Sequence, residues 1–367
     1  MSNAKEYSCE FIIHPDEKLL NDRVLKFIGC PTLAITKGGR FFAGWYFGGI
    51  REPHMDNCNV IVMSDDGVNW SRPILAIPSS KSRNVHALDI QLWIAPDGAL
   101  YVFWVQNDAQ ISVDGKRPKN LPAHLPWISV DGYDFGDFEH SAWLSICRDP
   151  DAQELVFEEP RCIGTGFLRC KPTVLDSGRW LLFNYDQLSD RYAYSISDDA
   201  GKTYEKRHGA VKLLTPFDEA MAYQMLDGRI RMLARTKLGY LAESYSSDGG
   251  NSWSEASLTD IASPNTRIFV SRTPSGRVLL VNNDSTEVRK NMTVYLSDDD
   301  GMTWKYKCLV DEREATSYPD VEFYNGRIYL IYDRERTGAK EIIVTDFTED
   351  DVMNSSFRPT LRVIQKL

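Results

Sequence analysis

The chain has 367 residues and a formal net charge of −10 at pH 7, and 43% of its residues are hydrophobic. The acidic balance argues against nucleic acid or an anionic membrane as a partner. None of the apolar runs approaches the roughly 18 residues of a membrane-spanning helix. No linker or charge block divides the chain, so we expect a single domain over residues 5–367, with residues 1–4 as a cloning remnant.

The seven cysteines are odd in number and scattered, without the spacing of a metal site. We therefore expect reduced, mostly buried thiols, which favours a cytoplasmic location slightly over export with a cleaved signal. No cofactor or metal is expected, because the chain lacks a His-x-x-His pair and the ligand spacing of a calcium loop. The composition leaves the oligomeric state open.

Strand-turn-strand patterns recur along the chain, each with an apolar run that leads into a glycine-containing turn. There are six of them, at residues 31–39, 91–98, 171–178, 221–228, 268–276 and 320–326. Each is typical of the two inner strands of a four-stranded meander, so the pattern predicts an all-β, six-bladed β-propeller. The terminal runs Ser8 to Ile13 and Thr360 to Ile364 are expected to share one blade and close the ring.

A short pattern of the form Ser-x-Asp-x-Gly-x-Thr/Ser-aromatic occurs four times. The copies run from Ser64 to Trp70, Ser197 to Tyr204, Ser246 to Trp253 and Ser297 to Trp304, and the last three start about 50 residues apart. The pattern resembles the Asp-box of the sialidase superfamily. Its Asp is suited to accept backbone N–H groups in a tight turn, and its Gly to adopt positive φ. The copies are therefore interpreted as hairpin turns without a chemical role, on the face opposite the pocket.

The loops between the second and third strands of each blade are expected to lie on the other face, around the central axis. One of them is long, from about Gln106 to His140, and includes Trp127, His124 and Tyr133. Loops of this length in a compact domain are usually functional. We interpret this segment as a rim over the pocket.

Basic side chains converge on this face from all six blades. The candidate ligand-binding cations are Arg51, Arg83, Arg169, Lys171, Arg235, Arg267, Arg289 and Arg336. Because guanidinium groups bind carboxylates in a bidentate manner, the set indicates an anionic ligand such as a sialic or uronic acid within an oligosaccharide. The alternative for each arginine is a structural ion pair with a neighbouring acid.

Three segments resemble catalytic segments of sialidases. The resemblance implies that Tyr318 is the nucleophile and that Glu219 polarises it, while Arg235 and Arg289 bind the substrate carboxylate. A tyrosine with a pKa of about 10 needs such help from a carboxylate and from cations. Sialidases are a known exception to the scheme of two catalytic carboxylates.

The resemblance is incomplete at two places. Where sialidases carry Arg-Ile-Pro, this chain has Gly29-Cys30-Pro31, so one carboxylate-binding arginine is missing. Losing one charge-assisted contact should cost about 1.5–3 kcal/mol, so either Arg51 or Arg336 fills the gap or the substrate is not a standard sialoside. The catalytic acid is expected in the following loop, where Asp56 is the candidate and His54 competes with it.

Three functions follow from these residues. The first is a sialidase-like glycoside hydrolase acting on the non-reducing end of an acidic glycan. The second is a propeller polysaccharide lyase that cleaves uronate-containing chains, with His54, His86 or Tyr318 removing a proton beside a neutralised carboxylate. The third is a propeller that binds glycans without turnover.

Overall fold

The computed structural model describes residues 9–112, 114–117, 119, 127–136, 140–215, 217–354 and 356–367. Within these residues the chain is all-β, as expected, apart from two helices of five residues each, α1 (Glu17–Asn21) and α2 (Glu349–Met353). No helix in these ranges has the length and apolarity that a membrane crossing requires.

The first sheet has five antiparallel strands. They are β1 (Ile12–Ile13), β2 (Ile28–Ile35), β3 (Phe41–Phe47), β4 (Cys58–Ser64) and β5 (Leu75–Pro78). From β2 outward each strand pairs with the next along the chain, and β1 adds to the outer edge through β5. Every residue of β2 and β3 is buried, which explains their continuous apolar character.

The second sheet carries an insertion between its second and third strands. Its strands are β6 (Val85–Ile94) and β7 (Leu100–Asp108), then the inserted β8 (Gln110–Ile111), β9 (Ile128–Val130) and β10 (Tyr133–Phe135), and then β11 (His140–Cys147) and β12 (Arg161–Thr165). The inserted strands form their own small sheet in the order β8-β10-β9. The predicted rim residue His124 lies outside the described residues.

The third and fourth sheets are four-stranded meanders. The third region contains β13 (Phe167–Leu168), β14 (Thr173–Val174), β15 (Trp180–Leu182), β16 (Asn184–Tyr185), β17 (Arg191–Ser197) and β18 (Glu205–Val211). In it, β13 pairs with β16, and the meander runs β14-β15-β17-β18. The fourth sheet is formed by β19 (Met221–Gln224), β20 (Ile230–Ala234), β21 (Tyr240–Ser246) and β22 (Ser257–Ala262).

The fifth and sixth sheets repeat the same order. The fifth contains β23 (Phe269–Arg272), β24 (Val278–Asn283), β25 (Met292–Ser297) and β26 (Tyr306–Asp311). The sixth contains β27 (Thr316–Tyr324), β28 (Arg327–Arg334), β29 (Glu341–Phe347) and β30 (Arg362–Lys366), with α2 between the last two strands.

The inner hairpin of each sheet turns at a glycine in the left-handed region of φ. These glycines are Gly39, Gly98, Gly178, Gly228, Gly276 and Gly326. At Gly39, where φ is 91°, an added Cβ would also lie 2.5 Å from the Tyr324 hydroxyl. The six hairpins predicted from sequence are therefore the first two strands of the six sheets.

The four sequence repeats form the turns between the third and fourth strands of sheets 1, 3, 4 and 5. In each, the Ser Oγ accepts a hydrogen bond from the Gly amide, at 2.9, 2.8, 2.9 and 2.7 Å in chain order. The Asp accepts backbone N–H groups, as Asp248 does from Asn251 and Ser252 at 3.0 and 2.9 Å. The Ser and Asp side chains of the repeats thus bond to the backbone of their own turns.

Neighbouring sheets contact one another in chain order. Sheets 1 and 2 are joined by a hydrogen bond from Leu92 N to Thr32 Oγ1 (3.0 Å), and sheets 2 and 3 by the Trp93 and Trp180 rings, 4.8 Å apart. Further links run from Thr173 to Ala222, from Arg272 to Gln224 and from Asn283 to Thr316. Thr32 Oγ1 also donates to Asp320 Oδ2 at 2.7 Å, so the sixth sheet contacts the first.

The predicted sharing of one blade by the two chain ends is wrong. Strand β1 pairs with β5 in the first sheet, whereas β30 pairs with β29 in the sixth. The reason is that the segment from Thr316 onward supplies all four strands of the sixth sheet, which leaves no place in it for the N-terminal strand.

The cysteines are all free, and six of the seven are buried; Cys162 is the exposed one. This agrees with the expectation of reduced, mostly buried thiols. The six buried cysteines pack within apolar clusters, such as the one that contains Cys170 and Cys308.

Arg267, predicted to bind substrate, is instead a structural residue at the centre of the six sheets. Its side chain is buried, and Nη1 donates to the Arg169 carbonyl at 2.5 Å. Nη2 donates to the carbonyls of Pro31 (3.3 Å), Tyr318 (3.2 Å) and Pro319 (2.9 Å). The guanidinium thus satisfies carbonyls from three other parts of the chain, and it does not line the cavity described below.

We predict that Arg267→Met lowers the free energy of unfolding by about 3–5 kcal/mol, because several buried carbonyls lose their donor. Denaturant unfolding monitored by circular dichroism measures this. Arg229→Met is the matched control: Arg229 is exposed, its ion pair is with Asp227, and its removal should change stability by no more than about 0.5 kcal/mol. Equal small effects for the two variants would contradict the structural role of Arg267.

Candidate active site

A cavity of about 420 Å³ opens between the loops that connect the second and third strands of the sheets. Five arginines line it: Arg51, Arg169, Arg235, Arg289 and Arg336. Among the described residues, two carboxylates line it, Glu52 and Glu219. Aromatic side chains line it as well: Trp127, Phe135, Phe167, Tyr185 and Phe217, with the Tyr185 ring in contact with those of Phe167 and Phe217. The cavity therefore combines a cationic surface with an apolar wall, in a protein that is acidic overall.

Tyr318, Glu219 and Arg235 form a hydrogen-bonded group in this cavity. The Tyr318 hydroxyl donates to Glu219 Oε1 at 2.6 Å, and Arg235 Nη1 donates to Glu219 Oε2 at 2.5 Å. Arg235 Nη1 also lies 3.2 Å from the Tyr318 oxygen. All three side chains are buried. The sequence prediction that these residues meet in one pocket agrees with this geometry.

The local backbone explains how the two reactive side chains reach the cavity. Tyr318 lies where the pairing of β27 with β28 shifts register, and its φ is 56°. Glu219 precedes β19 with a φ of 35°. Left-handed conformations are uncommon for residues other than glycine and are found most often at functional sites. Tyr318 at a register shift and Glu219 just before an inner strand thus both lie in irregular backbone beside the cavity.

The surroundings of Glu219 and Tyr318 shift their two pKa values in opposite directions. Burial alone would raise the pKa of Glu219, but the Arg235 and Arg169 guanidiniums and the Tyr318 hydroxyl outweigh it and lower that pKa to about 2. Burial and the Glu219 charge raise the pKa of Tyr318 to about 12, against the opposing effect of Arg169 and Arg235. In the resting site the proton therefore stays on the phenol, which donates to an ionised carboxylate.

Four guanidinium groups surround the Tyr318 ring. Their central carbons lie 5.2 Å (Arg169), 5.2 Å (Arg267), 5.5 Å (Arg289) and 4.2 Å (Arg336) from its centroid. Such a cationic environment stabilises a phenolate that develops during a reaction.

Arg289 differs in its partners from three other cavity arginines, Arg169, Arg235 and Arg336. It makes no ion pair within the described ranges, and its Nη2 donates to the Asn265 carbonyl at 3.1 Å. Burial and the positive charge of Arg336 lower the pKa of Arg289. By contrast, Arg235 is paired with Glu219, and Arg336 is paired with both Glu52 and Asp333. Arg289, like the exposed Arg51, therefore has no competing acidic partner among the described residues, and its charge is available to an anionic ligand.

Arg336 occupies the space beside Gly29. A Cβ added at Gly29 would lie 2.9 Å from both Cδ and Nε of Arg336. Nε of Arg336 donates to Asp333 at 2.9 Å, and Nη1 donates to Glu52 at 2.7 Å. The sequence analysis offered Arg51 or Arg336 as a substitute for the missing arginine. Arg51 lines the cavity as an exposed side chain, and Arg336 is the one that fills the space at Gly29.

Asp56 does not line this cavity, contrary to its prediction as the catalytic acid. It lies in a separate depression, where Lys81 Nζ is 2.7 Å from its Oδ1. Its amide donates to His54 Nδ1 at 2.9 Å. The acid of the same loop that does line the cavity is Glu52, which the sequence analysis left without a role.

His54 and His86 are also outside the cavity and are both buried. His54 Nε2 lies 2.6 Å from Asp131 Oδ2, and Asn57 Oδ1 accepts from His54 N at 2.8 Å and lies 2.9 Å from His86 Nε2. Burial lowers the pKa of His86 to about 3. These two histidines therefore belong to a network that ends at the inserted hairpin β9–β10.

Two further predicted cations lie elsewhere. Lys171 points to the opposite end of the axis, where its Nζ is 2.6 Å from Glu322 Oε1 and 2.8 Å from the Val321 carbonyl. Arg83 is exposed and does not line the cavity. Together with Arg267, these residues correct the predicted set of ligand-binding cations. Sequence position assigned each to a loop or strand end, but it could not show which way the side chain points.

The aromatic wall was missed as a set by the sequence analysis. Trp127 and Phe135 come from the inserted segment, and Phe167, Tyr185 and Phe217 come from the third sheet and the start of the fourth. A signal was present, since each of the last three lies within two residues of a polar residue assigned to the same face. In the described part of the chain, no group of three or more His, Cys, Asp or Glu residues could hold a metal ion.

The BNR repeat-like domain family matches residues 39–330. The chain belongs to this family, within the sialidase/BNR superfamily. The superfamily resemblance inferred from the repeats is thereby confirmed.

Individual relatives are more distant from this BNR repeat-like protein. The anhydrosialidase of Macrobdella decora is 28% identical over 194 residues, which are 47% of this chain and 25% of that protein. The match thus spans about a quarter of that relative's length. The NanB sialidase from Streptococcus pneumoniae has a TM-score of 0.67 at 17% identity, covering 93% of this chain and 70% of that one. The intramolecular trans-sialidase from Ruminococcus gnavus also gives 0.67 and 17%, covering 95% and 98%. At these identities the two structures show a shared fold.

We predict that His54→Ala loosens the inserted hairpin, because the bond between the His54 imidazole and Asp131 is lost. Amide hydrogen exchange in β9 and β10 should become about tenfold faster, which corresponds to the loss of roughly one hydrogen bond. His208→Ala, at an exposed position of β18, is the control and should leave this exchange unchanged. Unaltered protection of the hairpin in His54→Ala would contradict the anchoring role.

Proposed function

We propose that this protein is a sialidase-like glycoside hydrolase that acts on the non-reducing end of an acidic glycan, of the sialic-acid or uronic-acid type. The observation that carries the proposal is the 2.6 Å hydrogen bond between Tyr318 and Glu219 inside a cavity lined by five arginines. We further propose that the six sheets are the blades of a closed propeller. The contacts between every pair of neighbouring sheets, including the sixth and first, support it.

The substrate carboxylate is bound by Arg235, Arg289 and Arg336. These three guanidiniums approach the cavity from the fourth, fifth and sixth sheets, and Arg289 has no competing carboxylate in the part of the chain that the structure describes. The aromatic side of the cavity faces the apolar surface of the sugar ring or its substituents. A carboxylate with an adjacent apolar face is thus the chemistry that the cavity recognises.

Tyr318 is the nucleophile in this proposal. Its oxygen bonds to the anomeric carbon as the glycosidic C–O bond breaks, and its proton passes to Glu219 at the same time. A neutral phenol avoids the repulsion that a carboxylate nucleophile would meet from a carboxylate substrate. The substrate carboxylate also competes with Glu219 for Arg235, and this raises the pKa of Glu219 toward a value at which it can accept the proton. Water then hydrolyses the glycosyl–tyrosine bond.

When the substrate carboxylate binds Arg336 and releases Glu52 from it, Glu52 takes up a proton from solvent and donates that proton to the leaving oxygen. Apart from Glu219, it is the carboxyl group that lines the cavity among the described residues, and its side chain is partly exposed. Its bond to Arg336 holds it at the edge of the proposed carboxylate site. Asp56 is not proposed for this role, because it lies in the separate depression beside Lys81.

Arg336 is shared with Glu52 and Asp333, so less of its charge is available to a ligand than in an arginine without acidic partners. We therefore propose that simple sialosides are poor substrates and that another acidic sugar, such as a uronate, is preferred. The lyase alternative keeps Tyr318 as a base but loses His54 and His86, which do not reach the cavity.

The test is a screen of sialosides and uronate-containing oligosaccharides with product analysis, followed by variants on the best substrate. We expect Tyr318→Phe to lower kcat by about a thousandfold or more, as for loss of a nucleophile. For Glu52→Gln we expect a loss of about a hundredfold or more with a sugar leaving group, and little loss with an acidic phenol, which needs no protonation. Asp56→Asn is the matched control and should retain activity with both.

The outcomes separate the three functions. A saturated reducing sugar as product supports hydrolysis, whereas an unsaturated product that absorbs in the ultraviolet would show the lyase. Binding of acidic oligosaccharides with no product from any of them would show the non-catalytic function. Rapid turnover of a simple sialoside would overturn the proposed preference.

A further inference from the structure

Asp89 is a buried carboxylate beside the cavity that the proposed reaction does not use. Its side chain is fully buried, and it does not line the cavity. It lies in β6 at a register shift, with a φ of 58°. Neither carboxylate oxygen has a hydrogen-bond partner of good geometry among the described residues. Its ion pair is with Nη1 of Arg169.

Arg169 connects Asp89 to the proposed reactive pair. Arg169 Nε is 3.5 Å from Glu219 Oε1, the same oxygen that accepts the hydrogen bond from the Tyr318 hydroxyl. The Arg169 guanidinium also lies 5.2 Å from the centroid of the Tyr318 ring. One buried guanidinium is therefore shared by two carboxylates and a phenol. Its single positive charge cannot fully neutralise both carboxylates.

We propose that Asp89 is a positioning residue for the Tyr318–Glu219 pair: by pairing with Arg169, it sets how much of that positive charge acts on Glu219 and Tyr318. The catalytic importance of this effect rests on the proposed function, but the effect of Asp89 on the charges of Glu219 and Tyr318 exists without any substrate.

The direction of the effect follows from the charges that face Asp89. These are Arg169 and Arg336, which favour its ionised form, and Glu52 and Glu219, which oppose it. Burial is the largest influence and raises the pKa of Asp89 to about 7. Removing the Asp89 charge leaves Arg169 uncompensated, so the anionic forms of Glu219 and Tyr318 both become more favourable. The pKa of the Tyr318 phenol should then fall.

Asp89→Asn is the direct test, because asparagine has the same shape and tolerates the left-handed backbone of this position. The protein is labelled with tyrosine carrying ¹³C at the phenolic carbon, and the Tyr318 resonance is identified by its loss in Tyr318→Phe. We expect its alkaline titration, with a midpoint of about 12 in the parent protein, to move down by about one pH unit. Asp89→Ser is a second charge-removing variant with the same expectation.

A double-mutant cycle tests whether Arg169 transmits the effect. In an Arg169→Gln background, Asp89→Asn should shift the Tyr318 titration much less than in the parent protein. Asp311→Asn is the matched control, since Asp311 is buried and paired with Arg313 outside the cavity, and it should not shift the titration.

An unchanged Tyr318 titration in both Asp89 variants would overturn the proposal, as would an equal shift in both backgrounds. Neither measurement uses a substrate. Failure of the proposed hydrolase activity and failure of this proposal are therefore distinguishable.

Discussion

The buried guanidinium of Arg267 is the interaction on which the site depends. It donates to the carbonyls of Tyr318 and Pro319 in the sixth sheet, Pro31 in the first and Arg169 before the third. The carbonyls of Pro31, Tyr318 and Pro319 lie where the pairing of β2 and of β27 shifts register, outside the regular ladder. The same contacts hold the backbone of Tyr318 and of Arg169. An arginine that never lines the cavity thus positions two residues that do.

The arginines that line the cavity differ in how many acidic side chains they are paired with. Arg235 is paired with Glu219, Arg169 with Asp89, and Arg336 with Glu52 and Asp333, whereas Arg289 has no such partner in the described ranges. Paired guanidiniums are held in place and keep Glu219 ionised. Arg289 and the exposed Arg51, which have no such partner there, supply attraction for an anion that comes from outside.

Much of the fold was predictable because it rests on local signals. Glycine turns marked all six inner hairpins, and the Ser and Asp of each repeat bond to the backbone of their own turn. The Tyr318, Glu219, Arg235 and Arg289 set was predictable from segments that resemble sialidases. The placement of the chain ends was not, because strand β1 could add to either of two neighbouring edges and sequence does not choose between them.

Side-chain direction limited the site prediction. Asp56 and Glu52 lie in the same loop, but Glu52 lines the cavity, whereas Asp56 pairs with Lys81 in a separate depression. Lys171 follows Arg169 by two residues but points to the other end of the axis. The space at Gly29 is filled by Arg336, more than 300 positions later in the chain, and no local pattern indicates such a contact.

The most direct measurement is to identify the residue that carries the covalent intermediate. An acidic glycoside with a good leaving group and a slowly hydrolysed sugar would let the intermediate accumulate, and mass spectrometry of the digested protein would locate it. The account predicts one added sugar on the peptide that contains Tyr318, with none in Tyr318→Phe. Turnover with the sugar on another residue, or an adduct that persists in Tyr318→Phe, would contradict it.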